Sequence, residues 1–204
     1  NIGGDYYDYL PLNEHKFMVC IADISGKGIA AALLMANVQA VLRTLVSEGL
    51  PLTDLVKKLN RRVMGITGGD HFITLFIGNY DFNTRTLNYI NAGHNPPIVF
   101  ADNTLKLLEK GCTILGILDE LPFINEGTLV LDPGSLLLSY TDGLVDLENE
   151  KGQYFTDQRL EDFILQNGHL SVAQITNLLT ETLDTFKGHQ AASDDISFLS
   201  FRVF

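Results

Sequence analysis

Five aspartates, Asp5, Asp23, Asp142, Asp194 and Asp195, lie beside glycine turns or at the ends of apolar, β-like runs. They fall in four short motifs spread over nearly the whole chain: GGDYYD (3–8), ADISGKG (22–28), SYTDGLVD (139–146) and SDDIS (193–197). A fold that uses all four has to carry strand ends from both halves of the sequence to one place. Carboxylates without histidine or cysteine companions are hard oxygen donors, suited to Mg²⁺ or Mn²⁺ rather than zinc or copper. The pattern points to a carboxylate-built metal centre.

At 204 residues, 46% of them hydrophobic, the chain is long enough for one substantial core, and a single domain over 1–204 is the expectation. Polar residues interrupt its apolar stretches short of the ~20 needed to cross a bilayer, and no basic segment precedes an apolar one at the start. The reading is a cytoplasmic domain without membrane contact. Cys20 and Cys112 show no CxxC spacing, which fits a reducing compartment, with Cys20 as a small core residue. A net charge of −11 disfavours nucleic acid and anionic membranes as partners. It also opposes phosphate chemistry unless divalent cations reverse the field around the carboxylates. Because the sequence opens inside a motif, it is expected to be the C-terminal output part of a longer regulatory protein, with a sensor or receiver domain upstream.

Residues 16–22 (KFMVCIA) form a β-branched, apolar run ending at Asp23, a buried strand. The turn 25–28 precedes a helix over 29–48, with Leu34, Val38, Leu42 and Leu45 at helical spacing, stopped by Gly49-Leu50-Pro51. A second helix spans 53–64, capped near Thr53 and carrying Lys57, Lys58, Arg61 and Arg62 on a solvated face. Strands follow at 71–80, 86–91 and 97–100, then at 135–140. Helical patterns return at 156–166 and 172–186, and 196–204 is a closing strand. Runs of strands punctuated by helix pairs predict an α+β fold of two mainly antiparallel sheets covered by helices.

A strand holds its terminal side chain more rigidly than a loop, and an adjacent glycine lets the backbone approach closely enough for a carbonyl to serve as a ligand. The Asp23 carboxylate and the Ile24 carbonyl can face one cation in this way. Ser25 and Ser139 lack the Gly-x-Ser-x-Gly context of a nucleophile and take turn and strand roles. Lys27 either touches a substrate phosphate or caps its own loop. The surroundings of Gly26-Lys27 are not a P-loop, since Ile21 stands where glycine is required and Gly28 where Ser or Thr is required. His94 orders the loop GHNPP, while His15, His71, His169 and His189 share no spacing and read as surface or packing residues.

The order GGDYYD, ADISGKG, NAGHNPP (91–97), SYTDGLVD, SDDIS resembles the SpoIIE/RsbU-type branch of the metal-dependent protein phosphatases, relatives of the eukaryotic protein phosphatase 2C enzymes. The resemblance runs from Gly3 to about Ser200. It implies an αββα sandwich and two Mn²⁺ or Mg²⁺ ions. Asp23, with the Ile24 carbonyl, would bridge the ions, Asp5 would hold one, and Asp142 and Asp194 the second. Asp195 is the alternative to Asp194. Two such ions about 3.5–4 Å apart lower the pKa of a shared water and align it for in-line attack on phosphorus, so no protein nucleophile is needed.

The implied substrate is a phosphoserine or phosphothreonine on an anti-sigma-factor antagonist of the STAS type, and a homodimer stays open. Where the eukaryotic enzymes carry a histidine just after the bridging aspartate, this chain has Ser25-Gly26-Lys27, which leaves the general acid unassigned. Two other classes compete. A catalytically inactive module of the same fold would bind the phosphoprotein without hydrolysing it. A diguanylate cyclase, suggested by GGD at 3–5, needs a βα unit before that motif and a Glu-Phe where Tyr6-Tyr7 stands.

Overall fold

The computed structural model describes residues 3–204; residues 1–2, included in the expected domain, lie outside the described residues. The chain runs β1 (Tyr6–Asn13), β2 (Lys16–Ile24), α1 (Ile29–Ser47), α2 (Leu52–Thr67), β3 (Ile73–Asp81), β4 (Thr86–Ala92), β5 (Ile98–Ala101) and β6 (Thr104–Leu107). It continues through β7 (Gly111–Cys112), β8 (Gly127–Val130), β9 (Leu136–Tyr140), α3 (Asp142–Val145), α4 (Thr156–Asn167), α5 (Val172–Lys187) and β10 (Phe198–Arg202). One sheet has the order β1-β2-β3-β4-β7, with β8 also paired to β4; the other has the order β10-β9-β5-β6. Among the described residues only β4 and β7 pair in parallel. The expected sandwich of two mainly antiparallel sheets between helix layers is the observed fold.

The period of two along each strand assigns side chains to layers. In β2, Met18, Cys20, Ala22 and Ile24 face α1 and α2, while Phe17, Val19 and Ile21 face the second sheet. In β9, Leu137 joins the layer between the sheets, and Leu136, Leu138 and Tyr140 meet α4 and α5. Phe17 and Phe201 touch edge to face across the sandwich, with centroids 5.5 Å apart. Three apolar layers result, one between the sheets and one under each helix pair.

Local chemistry explains where the elements differ from the sequence pattern. β1 is an edge strand, so Pro11, which has no N–H to give a ladder, is tolerated. The Asp8 carboxylate in β1 accepts a bidentate pair from Arg43 of α1, at 2.8 and 3.1 Å, and a third bond from the Tyr6 hydroxyl at 2.5 Å. These charge-assisted bonds tie α1 to the sheet edge. The second helix starts at Leu52 rather than Thr53, with Pro51 in the flanking position and no side-chain cap, and runs on to Thr67. Contrary to the expectation about apolar stretches, α1 is long and apolar enough by composition to cross a bilayer. Its Ala31, Met35, Val38, Leu42 and Leu45 are buried against the first sheet, while Ile29 and Leu33 face outward.

The NAGHNPP segment carries the chain from the first sheet to the second. Asn91 clamps the turn by accepting from the His94 N–H at 2.8 Å and donating to the carbonyls of His94 and Leu108 at 3.0 and 3.1 Å. The His94 ring is buried and hydrogen-bonds to Thr74 at 2.9 Å. Loop ordering is its structural role.

Ile21 is fully buried between the sheets, and Ile21→Ala is expected to lower unfolding free energy by about 2–5 kcal/mol in urea denaturation. Burial pushes the His94 imidazole from its ordinary value of 6.5 down to about 4. Between those values the unfolded chain binds the extra proton, so stability falls as pH drops through that window. The stability gap between the native chain and His94→Asn should therefore narrow by about 3 kcal/mol from pH 7 to pH 4, as read by urea unfolding at each pH.

Candidate metal centre

Antiparallel pairing sets the start of one strand beside the end of its neighbour. Tyr6 pairs with Ala22, which brings Asp5 next to Asp23. In the second sheet Phe198 pairs with Tyr140, which brings residues 194–197 next to Thr141 and Asp142. Parity continues the inward face of β2 from Phe17, Val19 and Ile21 to Asp23, so this carboxylate comes where the layer between the sheets opens. The two sheets are joined there by the buried Thr141, whose hydroxyl donates to Asp5 at 2.8 Å and accepts from the Ser197 N–H at 3.0 Å.

The carboxylates feel one another. Burial first, then the charges of Asp5, Asp142 and Asp194, push the Asp23 carboxyl up to about 7. Asp5 is raised by burial and, more weakly, by Asp195 and Asp142, against the hydrogen bonds from Thr141 and Ser197 that favour its charge. Asp142, at the exposed mouth, is raised by partial burial and by Asp146 and Asp194. Such a group of like charges gains from a multivalent counter-cation.

The space for one is visible at Gly4. A side-chain carbon there would sit 3.1 Å from the Ile24 carbonyl oxygen and 3.4 Å from Asp23 Oδ1, so these two oxygens border the same gap. All the donors are hard oxygens, and the residues fit Mg²⁺ or Mn²⁺. No three His, Cys, Asp or Glu side chains among the described residues already stand at metal-enclosing distance. Two of the expected carboxylates are turned to other partners. Asp194 Oδ2 lies 2.7 Å from Lys27 Nζ, and Asp195 occupies the space above the Gly3 backbone, where any side chain would collide with its carboxylate. A side-chain carbon on Gly143 would collide with the backbone carbonyl oxygen of Asp195, which explains the glycine of the TDG triplet.

A cleft of about 270 Å³ is bordered by Gly3, Gly4, Gly26, Lys27, Gly28, Ser193, Asp194 and Asp195. Ser25 takes a turn role: its N–H donates to the Phe72 carbonyl at 3.0 Å and its hydroxyl accepts from the Phe72 N–H at 2.9 Å. His71 is exposed, as its unpatterned position in the sequence predicts, yet it also belongs to this turn. Its Nδ1–H donates to the Ser25 carbonyl at 3.0 Å and its ring lies beside Gly26. The sequence signal for that contact is weak, because 46 residues separate the partners and only the β2–β3 register unites them.

The sequence model of the Stage II sporulation protein E (SpoIIE) family matches residues 13–204. Phosphoserine phosphatase RsbU of Bacillus subtilis is 31% identical over 153 residues, which cover 74% of this chain and 45% of that protein. Protein IcfG of Synechocystis is 27% identical over 235 residues, covering 98% of this chain and 36% of that protein. The chain thus spans less than half the length of either relative. The SiaA-PP2C domain of Pseudomonas aeruginosa superposes with a TM-score of 0.88 at 20% identity, over 99% of this chain and 81% of that one, and shares the fold. Motif order, sandwich architecture and family match agree: the chain belongs to the SpoIIE family, in the SpoIIE/RsbU-type branch of the metal-dependent protein phosphatases.

Proposed function

We propose that this chain is a protein serine/threonine phosphatase that needs Mn²⁺ or Mg²⁺ and hydrolyses phosphoserine or phosphothreonine. Its substrate in this reading is a phosphorylated anti-sigma-factor antagonist of the STAS type in the bacterial cytoplasm. The chain is the output part of a longer protein, governed by an upstream sensor or receiver domain. The observation that carries the reading is the crowding of Asp5, Asp23 and Asp142 at one end of the sandwich, where the charges of Asp5 and Asp142 raise the cost of ionising Asp23 and that of Asp142 raises the cost of ionising Asp5.

Asp23 with the Ile24 carbonyl, Asp5, Asp142 and Asp194 are the residues that would hold two cations, with Asp195 as the alternative to Asp194. When bound, such a pair supplies an activated water and neutralises phosphoryl oxygens. The protein's part is positional. Thr141 fixes one oxygen of Asp5 by its hydroxyl, the end of β2 holds Asp23, and Asp142 opens α3 just after β9. The hydrogen bonds between Ser25 and Phe72 keep the 25–28 turn, and the Ile24 carbonyl before it, in one shape. The pairing of Asp194 with Lys27 favours a second reading, in which the fold binds a phosphoprotein without turning it over.

Phosphate release from a phosphoserine peptide separates the two. The native chain should be active with added Mn²⁺ and silent after chelation. Asp23→Asn and Asp142→Asn should each reduce kcat by more than about a hundredfold. Because either change removes one of several like charges at constant size, the metal-free variants should melt no lower than the native chain in thermal denaturation. Near-native turnover in either variant, or full activity in metal-stripped protein, rejects the phosphatase reading.

A further inference from the structure

Lys27 is the one cation among the residues that border the cleft. Its ammonium lies 2.7 Å from Asp194 Oδ2 and donates to the Ser193 carbonyl at 3.0 Å, holding the segment just before β10. The lysine and aspartate side chains keep 66% and 42% of their surface in water. An ion pair this exposed shifts an equilibrium by less than about fivefold, so it is readily exchanged. Asp194 is also a proposed cation ligand; its Oδ1 already accepts from the Asp195 N–H at 3.0 Å, so a divalent ion taking this carboxylate competes with the ammonium for Oδ2.

The chain carries a net charge of −11 and Asp194 and Asp195 border the cleft, carboxylates that repel a phosphate dianion. While Lys27 is neutralised by Asp194, no protein cation bordering the cleft is free to offset that repulsion. Building on the phosphatase reading, we infer that Lys27 exchanges partners: it pairs with Asp194 in the ion-free protein and with a phosphoryl oxygen of the substrate once divalent cations take Asp194. Its compact charge and three rotatable N–H donors suit a phosphate in either orientation. The exchange makes binding ordered, cation first and phosphate second. It also joins the two roles that the sequence leaves open for Lys27, loop holder and phosphate contact.

The test uses Mn²⁺ alone and inorganic phosphate as probes on the native chain, Lys27→Met and Lys27→Arg. Mn²⁺ binding is followed by electron paramagnetic resonance of the free ion, and phosphate binding by calorimetry with and without Mn²⁺. The native chain should bind phosphate only when loaded with Mn²⁺. Lys27→Met should bind Mn²⁺ about two- to fivefold more tightly, since a competitor for Asp194 is gone. It should also bind phosphate at least about tenfold more weakly, the loss of one charge-assisted hydrogen bond. Lys27→Arg should keep phosphate affinity within about threefold of native, as the charge remains. Native phosphate affinity in Lys27→Met overturns the exchange. So does weaker Mn²⁺ binding with a lowered melting temperature, which would make Lys27 a fixed staple of residues 193–195. A native chain that binds no Mn²⁺ at all overturns the phosphatase reading and this inference together.

Discussion

Repulsion among carboxylates at the open end of the layer between the sheets is the constraint around which the molecule is organised. Asp5 and Asp23 are partly buried; the charges of Asp5 and Asp142 raise the cost of ionising Asp23, and those of Asp195 and Asp142 raise that of Asp5. Left alone, such a cluster favours separation of the strand ends that carry it. The apolar layers oppose that separation: Ile21 and Phe76 fix β2 and β3 against the second sheet, and Leu137 fixes β9 from the other side. Folding free energy from three hydrophobic layers therefore holds charges in a place they would not choose.

The precision of the site comes from simple regularities. Alternation along β2 directs Asp23 inward, antiparallel pairing lays Asp5 beside it, and the same pairing rule sets residues 194–197 beside Thr141. Thr141 then closes the gap between sheets with hydrogen bonds to both partners. Close backbone approach completes it, since side chains at Gly3 and Gly143 would collide with Asp195. None of these features is special to catalysis; their coincidence at one end of the sandwich is.

Much of this was legible in the sequence because it depends on local pattern. β2, β3, β4, β9 and the helices α1, α4 and α5 follow from apolar periodicity, and the acidic motifs follow from their place at strand ends. β1 escapes that reading because Asp8 and Pro11 interrupt its pattern, and only the edge position and the Arg43 clamp make it a strand. The short β6, β7 and β8 carry too few residues for a period to register, and β7 exists through its partner β4. The orientation of Asp194 toward Lys27 and the contact of His71 with Ser25 span 167 and 46 residues respectively by chain position, Lys27 to Asp194 and Ser25 to His71. Such contacts are properties of the folded register and leave no mark in local composition.

The Thr141 hydroxyl and the Asp5 carboxylate that it holds are 136 residues apart, and the backbone of Asp195 comes later still. Such contacts raise the mean sequence separation of the fold, a feature of slowly folding chains, and those to residues 194–197 cannot form before that segment has been made. During synthesis a ribosome-bound chain can complete the first sheet and its helices while the acidic end stays unassembled. Whatever chemistry that end performs is thus withheld from nascent chains and from truncated fragments until β10 has docked.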